Sequence, residues 1–240
     1  MTLTPPALLP PNESKRLATL QTYDILHSLQ EPLFTEVVEL AATLFNVPIS
    51  LIALVGADEV EYIATHGLPG LRSQPRAEAV CSMAVKQQQA VVFVDLANAR
   101  SLTAEAEAAA RAKGLRFYAG VPLCMPNRQC IGTFCLIDRK PRTFSAPEQQ
   151  VLEQLARLAG QLIGVRQYCT VSAASGLEYW CLMRSELTQE IRALLAAARH
   201  LIGYAGTHVP VPANVLEATY GQLHELCWRL ADYYPGSAPS

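Results

Sequence analysis

Apolar positions along the chain follow two different spacings, and the first part of the chain has the helical one. Residues 12–28 and 31–45 carry apolar side chains at intervals of three and four. Asn12 is placed as an N-cap for the first segment, and Pro32 suits the first turn of the second. The pattern therefore predicts two helices at the start of the chain.

The pattern then changes to short β-branched runs. These runs predict strands at 47–55, 60–64, 90–96, 116–123 and 130–138. Helical patterns at 77–87 and 102–113 interrupt them, and a capping-box pattern from Ser145 to Glu148 opens another helix. Because hairpins join most of the strands, we predict an α+β fold with a central antiparallel sheet flanked by helices.

Strand patterns stop after residue 168. Residues 177–203 and 212–234 have the spacing of two long helices, separated by a segment with glycine and proline. The chain is therefore expected to have four parts: a proline-rich tail (1–11), an α+β domain (12–168), a C-terminal helical hairpin (169–235) and a disordered tail (236–240).

Charge and composition narrow the class of protein. The net charge is −2 and the sequence has no basic cluster, which argues against nucleic-acid binding. The longest apolar stretch, 47–55, is too short to cross a membrane, and the N-terminus lacks the pattern of a secretory signal. Most of the seven cysteines lie in apolar runs, none forms a CxxC pair, and no metal-ligand spacing is present. We therefore expect a cytoplasmic protein with reduced cysteines and no metal.

Four stretches resemble the GAF domain of bacterial signalling proteins. They are NESKRLATLQTYDIL (12–26), VPISLIALV (47–55), LRFYAGVPL (115–123) and IGTFCLIDRKPRTFS (131–145). With FTEVVELAATLF (34–45) and EAVCSMAV (78–85), the resemblance extends from residue 12 to about 166. It implies a sheet of five or six strands, with helices from both ends of the domain on one face and a small-molecule pocket on the other.

The ligand does not follow from this resemblance, because GAF domains bind cyclic nucleotides, tetrapyrroles, haem or amino acids, or serve as relays and dimerisation modules. The chain lacks the cyclic-nucleotide motif of the family, a Cys–His pair for a bilin and an evident haem ligand. Of the cysteines used by the GAF enzymes that reduce free methionine sulfoxide, only Cys81 is near a matching position. We therefore expect no cofactor.

Alternation within the last strand suggests which residues face a pocket. Thr133, Cys135 and Ile137 share one face of residues 130–138, whereas Phe134 and Leu136 share the other. We predict a mostly apolar pocket bordered by Tyr62, Cys81, Asp95, Tyr118, Thr133 and Cys135. For Cys81 the alternatives are a nucleophile or a buried packing residue, and for Asp95 they are a ligand contact or a turn cap.

Two other cysteines, Cys124 and Cys130, flank the turn of the last hairpin. They are close enough in sequence to form a redox-sensitive disulfide, but two reduced thiols fit a cytoplasmic setting better.

These observations favour a non-enzymatic small-molecule sensor or regulatory module in bacterial signal transduction. The alternatives are a thiol enzyme similar to free methionine sulfoxide reductases and a ligand-free dimerisation module. The expected partners are an unknown small molecule, a second copy of the chain and a protein bound through the C-terminal helices, without nucleic acid or membrane.

We expect a homodimer because each of the last three helices carries a row of apolar side chains at alternating steps of three and four. We call each such row an apolar seam. Further apolar residues lie off these seams: Leu182, Met183, Leu195, Ile202, Trp228 and Tyr233. Packing of all three seams within one chain is the alternative.

Overall fold

Six antiparallel strands form a single sheet in the centre of the protein. The computed structural model describes residues 9–23, 31–171, 176–205 and 211–233. The strands are β1 (Ile49–Val55), β2 (Glu59–His66), β3 (Ser73–Pro75), β4 (Val91–Phe93), β5 (Phe117–Cys124) and β6 (Cys130–Asp138). Their order across the sheet is β3-β2-β1-β6-β5-β4. The predicted fold class is confirmed, and β3 is the strand that the sequence pattern missed.

Seven helices within the described ranges surround the sheet. They are α1 (Glu13–Thr22), α2 (Pro32–Leu44), α3 (Cys81–Gln87), α4 (Ala104–Ala112), α5 (Ala146–Val171), α6 (Gly176–Ala205) and α7 (Ala213–Tyr233). Pro32 occupies the first turn of α2, as predicted, whereas the Asn12 side chain at the start of α1 makes no capping hydrogen bond. The predicted end of the first helix, from residue 24 onward, and the two predicted tails lie partly or wholly outside the described residues.

The two faces of the sheet contribute to two separate hydrophobic cores. Phe134 and Leu136 pack in the larger core with α2, α5 and the C-terminal helices. Cys135 and Ile137 pack in the smaller core with α3 and α4. Because successive side chains of a strand point to opposite faces, β6 contributes side chains to both cores.

The start of α5 shows the predicted capping box. The Ser145 backbone N–H donates to Glu148 Oε2 at 2.7 Å, and the Glu148 N–H donates to Ser145 Oγ at 3.3 Å. Glu148 is completely buried, where it also pairs with Arg142 and accepts a hydrogen bond from the Val211 N–H. The same carboxylate therefore caps α5 and holds the chain that leads into α7.

The last two helices pack on the rest of the protein more than on each other. Helix α6 lies mainly against α2 and α7 mainly against α5, and α6 contacts α7 only slightly. Trp180, Leu187 and Ile191 of α6 are buried in the larger core. Helix α5 itself continues past residue 168, so the predicted boundary between domain and hairpin falls within a helix and not between two cores.

Candidate functional site

A small cavity lies in the smaller core, on the face of the sheet away from the terminal helices. Its volume is about 40 Å³. We call it the α3–α4 cavity; it is lined by Leu51, Tyr62, Leu68, Leu71, Gln74, Glu78, Val80, Cys81, Leu96, Ala109, Ala110, Lys113, Leu115, Tyr118 and Ile137. Since one water needs about 10–15 Å³ of such volume, the cavity has room for only a few small atoms.

Two cysteine thiols meet beside this cavity. Cys81 is the first residue of α3, Cys135 lies in the middle of β6, and their Sγ atoms are 3.6 Å apart. The Tyr118 hydroxyl lies 3.2 Å from Cys135 Sγ, and Thr133 Oγ1 lies 3.0 Å from the same sulfur. All four side chains are buried. We call this group the dithiol cluster.

The pKa values of the two thiols in the dithiol cluster are shifted in opposite directions. The hydrogen bond from Cys135, which outweighs the effect of burial, lowers the pKa of Cys81 to about 7. Burial, together with the neighbouring Cys81 sulfur, raises the pKa of Cys135 well above its ordinary value. Cys81 is therefore the thiol that loses its proton more readily, and Cys135 remains protonated.

Burial also keeps the two tyrosines of the site neutral. Burial and the nearby cysteine sulfurs raise the pKa of Tyr118 and that of Tyr62 far above the ordinary tyrosine value. Both hydroxyl groups therefore remain hydrogen-bond donors at neutral pH.

Most of the predicted site residues come together, and one does not. Tyr62, Cys81 and Tyr118 line the cavity, and Thr133 and Cys135 lie directly behind Cys81 and Tyr118 in the dithiol cluster. Their role in ligand binding stays a prediction.

Asp95 is outside the cavity lining. Its carboxylate accepts hydrogen bonds from Arg116 Nε at 2.8 Å and from the Ala97 N–H at 3.2 Å. The hydrogen bond from Arg116, which outweighs any desolvation, holds the pKa of Asp95 below its ordinary value. Asp95 caps the short 3-10 turn Leu96–Asn98. Of the two alternatives for this residue, a ligand contact or a turn cap, the structure shows the turn cap.

Polar residues at the edge of the cavity were missed by sequence reasoning. Gln74 lies in β3, Glu78 in the 3-10 turn Arg76–Glu78, and Lys113 just after α4. Lys113 Nζ donates a hydrogen bond to Gln74 Oε1, which ties the end of α4 to the edge of the sheet. A three-residue strand gives too little alternation to be recognised, so no local signal could have placed Gln74 there.

Cys124 and Cys130 are joined by a disulfide across the end of the β5–β6 hairpin. The expectation of two reduced thiols is therefore corrected. The reason lies in the register, because the two residues are directly paired in the sheet after an irregularity at Leu123. The other cysteines are free, and of these Cys181 is exposed while the rest are buried.

Neither a metal centre nor a membrane span is found in the described part of the chain. No three His, Cys, Asp or Glu side chains within those ranges are placed to hold a metal ion. No helix there combines the length and apolar character that crossing a bilayer requires.

The fold agrees with the comparison to protein families. The model of the GAF domain matches residues 30–163, more than half of the chain, and the chain therefore belongs to the GAF domain family. A cyclic di-GMP phosphodiesterase of Pseudomonas aeruginosa is 28% identical over 156 residues, which are 65% of this chain and 26% of that protein. The chain thus spans about a quarter of the length of that relative.

Solved structures with a similar fold include domains of different function. The PixJ GAF domain of Thermosynechococcus elongatus is 17% identical, with 58% of this chain and 87% of that chain covered and a TM-score of 0.48. The free methionine-R-sulfoxide reductase of Neisseria meningitidis is 18% identical, with 57% and 80% covered and a TM-score of 0.44.

Proposed function

We propose that this chain is a non-enzymatic regulatory module of bacterial signal transduction, which responds to a small molecule in the α3–α4 cavity. The observation that carries the proposal is the position of that cavity, in a core of its own on the sheet face opposite the terminal helices. Its lining is mostly apolar with a few polar groups, which is the usual character of a small-molecule site.

The size of the cavity limits the ligand. At about 40 Å³ it accepts a molecule of a few heavy atoms without rearrangement. Tyr62, Leu68 and Leu71 also line a wider groove of about 570 Å³ between α2 and β2. A nucleotide or another larger ligand would have to displace Tyr62 toward that groove, or move α4 by breaking the hydrogen bond between Lys113 and Gln74.

A route from the cavity to the helices runs through β5 and β6. Tyr118 and Cys135 face the cavity side, while their neighbours Phe117, Phe134 and Leu136 pack against the helices on the other face. A ligand that shifts β5 or β6 therefore also changes the surface on which α5 rests, and α6 and α7 both pack on α5.

Filling the cavity from α4 tests the proposed site. Ala109 lines the cavity, whereas Ala108 is exposed on the same helix. The probes are cyclic nucleotides, free amino acids and small organic acids, together with native mass spectrometry of protein purified from its own host. At least one probe, or a co-purified ligand, should raise the melting temperature of the parent protein and of Ala108→Leu but not of Ala109→Leu.

Two results would count against this proposal. An equal thermal shift in Ala109→Leu would place the ligand elsewhere. If no probe shifts the melting temperature and the purified protein carries no added mass, the ligand-free dimerisation module becomes the better description.

A thiol enzyme is the second candidate, because the structure brings Cys135 to within 3.6 Å of Cys81. Two thiols at this distance are able to exchange electrons with a substrate. Reduction of free methionine sulfoxide coupled to NADPH and thioredoxin, and lost in Cys81→Ser, would support this candidate over a binding module.

A further inference from the structure

The dithiol cluster has the geometry of a pair that can be oxidised. A disulfide needs an S–S distance of about 2.0 Å, so the gap of 3.6 Å between the two sulfurs has to shorten by about 1.6 Å. Cys81 is the first residue of a two-turn helix, and Cys135 is held in the middle of the sheet. Adjustment of one short helix is therefore enough to bring the two sulfurs together.

The two cysteines differ in access as well as in acidity. Cys81 lines the α3–α4 cavity, whereas Cys135 lies behind it, against Tyr118 and Thr133. A reagent in the cavity reaches Cys81 first. The lowered pKa of Cys81 favours its nucleophilic thiolate, and the raised pKa of Cys135 keeps the second thiol protonated until the first has reacted.

The cavity selects a very small oxidant. Its volume of about 40 Å³ is filled by two or three water-sized groups, and hydrogen peroxide has only two heavy atoms. The Tyr62 and Tyr118 side chains line the cavity, and their raised pKa values keep both hydroxyl groups protonated.

We propose that Cys81 and Cys135 form a peroxide-sensitive dithiol that closes to an internal disulfide. The Cys81 thiol gives up its proton, the resulting thiolate attacks one peroxide oxygen, the O–O bond breaks, and the departing hydroxide takes the proton that Cys81 released and leaves as water. Cys81 becomes a sulfenic acid. The Cys135 sulfur then attacks Cys81 Sγ, the S–O bond breaks, and a second water leaves with the Cys135 proton. In total, two thiols lose two electrons and hydrogen peroxide is reduced to two molecules of water.

The expected consequence is a change in the cavity. Formation of the disulfide draws the start of α3 toward β6 and converts the Cys135 thiol, which lies against Tyr118 and Thr133, into a disulfide sulfur. This inference goes beyond ligand binding and does not depend on it, because the reaction requires only the dithiol and a peroxide.

Peptide mapping of the full chain tests the proposal. The protein is treated with near-stoichiometric hydrogen peroxide, alkylated with iodoacetamide in denaturant and digested with trypsin without reduction. We expect a linkage between Cys81 and Cys135, and a joint fall of at least tenfold in alkylation at both residues, reversed by dithiothreitol. Fragmentation within peptide 129–139 distinguishes Cys135 from Cys130, which lies in the same peptide.

Two variants sharpen the test. In Cys135→Ser the sulfenic acid has no partner, so dimedone should label Cys81 after peroxide treatment. Cys169→Ser changes another buried free cysteine and should leave the linkage intact.

The mapping of the unmodified protein does not depend on the folding of any variant. Full alkylation of Cys81 and Cys135 while the exposed Cys181 is oxidised would overturn the proposal. Conversion of Cys81 to a sulfinic acid without a linkage to Cys135 would overturn it equally.

Discussion

At the scale of single residues, Tyr118 takes its position because Gly120 has no side chain. Both residues point to the same face of β5, and the tyrosine ring lies directly over the glycine. A Cβ on Gly120 would be 2.2 Å from the Tyr118 hydroxyl oxygen and 2.6 Å from the ring carbon that carries it. The absence of a Cβ therefore allows the hydroxyl to reach Cys135 Sγ.

Gly120→Ala should for this reason destabilise the protein. The added methyl group has to displace a fully buried ring, and overpacking of this kind costs about 1–3 kcal/mol. Gly221→Ala is the matched control, because its Cβ would meet nothing within 4 Å in α7. There the better helix propensity of alanine should stabilise by about 0.5–1 kcal/mol. Equilibrium unfolding in urea measures both, and equal effects of the two substitutions would contradict this account of Tyr118.

At the scale of elements, α1 is held to the sheet by a buried group of charges. Arg16 and Arg76 are almost completely buried, and both pair with the Glu13 carboxylate. Arg16 Nη1 also donates to the Val55 carbonyl at 2.6 Å, and Arg76 Nη1 donates to the Gly56 carbonyl at 2.9 Å. One carboxylate thus joins α1, the end of β1 and the 3-10 turn at Arg76.

Glu13→Gln should loosen this attachment in a pH-dependent way. Burial raises the pKa of Glu13, but the hydrogen bonds and charges of Arg16 and Arg76 outweigh burial and leave the pKa below its ordinary value. A lowered pKa in the folded state means that the stabilisation is complete above the unfolded pKa and is lost as the pH falls through the folded one.

The difference in unfolding free energy between the parent protein and Glu13→Gln should be on the order of 3 kcal/mol near neutral pH. This value is at the lower end of the cost of removing one partner from a buried ion pair. It should shrink below about pH 4.3, where the carboxylate of the unfolded chain is protonated. Glu107→Gln breaks only an exposed pair with Arg111 and should change stability by about 0.5 kcal/mol or less. Urea unfolding at several pH values checks both, and a difference independent of pH would contradict the role of the charge.

At the scale of the whole molecule, most side chains in the apolar seams of the C-terminal helices are buried within one chain. Met183 and Leu195, which we expected to add to a dimer surface, are buried in the larger core. Leu182 is 68% exposed and Trp228 55% exposed, and the side chains of Ile202 and Tyr233 are outside the described residues. The remaining apolar surface is concentrated where α5 ends and α6 begins: Tyr168, Val171, Leu177, Tyr179 and Leu182.

We propose that these five exposed side chains, at the end of α5 and the start of α6, join two copies of the chain. Large exposed areas of apolar side chains are uncommon on monomers, and a second copy would bury these residues. Light scattering at micromolar concentration should give twice the chain mass of 26.1 kDa. Leu182→Glu should weaken the dimer at least tenfold, whereas Ala218→Glu, at an exposed position of α7, should not.

A monomer at the same concentration would refute the dimer. Truncation at residue 170 is not a clean test, because it also removes Trp180, Leu187 and Ile191 from the larger core.

Local sequence patterns predict much of this fold, because the interactions that form these elements join residues close together in the sequence. The period of two in β6 places Cys135 on one face and Phe134 on the other, and the capping box of Ser145 and Glu148 starts α5. Both depend on residues a few positions apart, where backbone geometry alone dictates which groups meet. The predicted pocket residues on β6 rest on the same alternation, whereas those on β2, α3 and β5 rest on the resemblance to GAF domains and stay predictions.

The remaining features depend on how strands pair and how segments pack in the folded protein. Cys81 and Cys135 are 54 residues apart and meet only because α3 packs across β6, and no spacing in the sequence encodes that approach. The Cys124–Cys130 disulfide depends on the register of one hairpin, which shifts at Leu123. Asp95 lies outside the cavity lining, where its carboxylate pairs with Arg116, 21 residues further along the chain. The C-terminal helices lie on α2 and α5 because burial there removes their seams from water, and only the assembled core provides that surface.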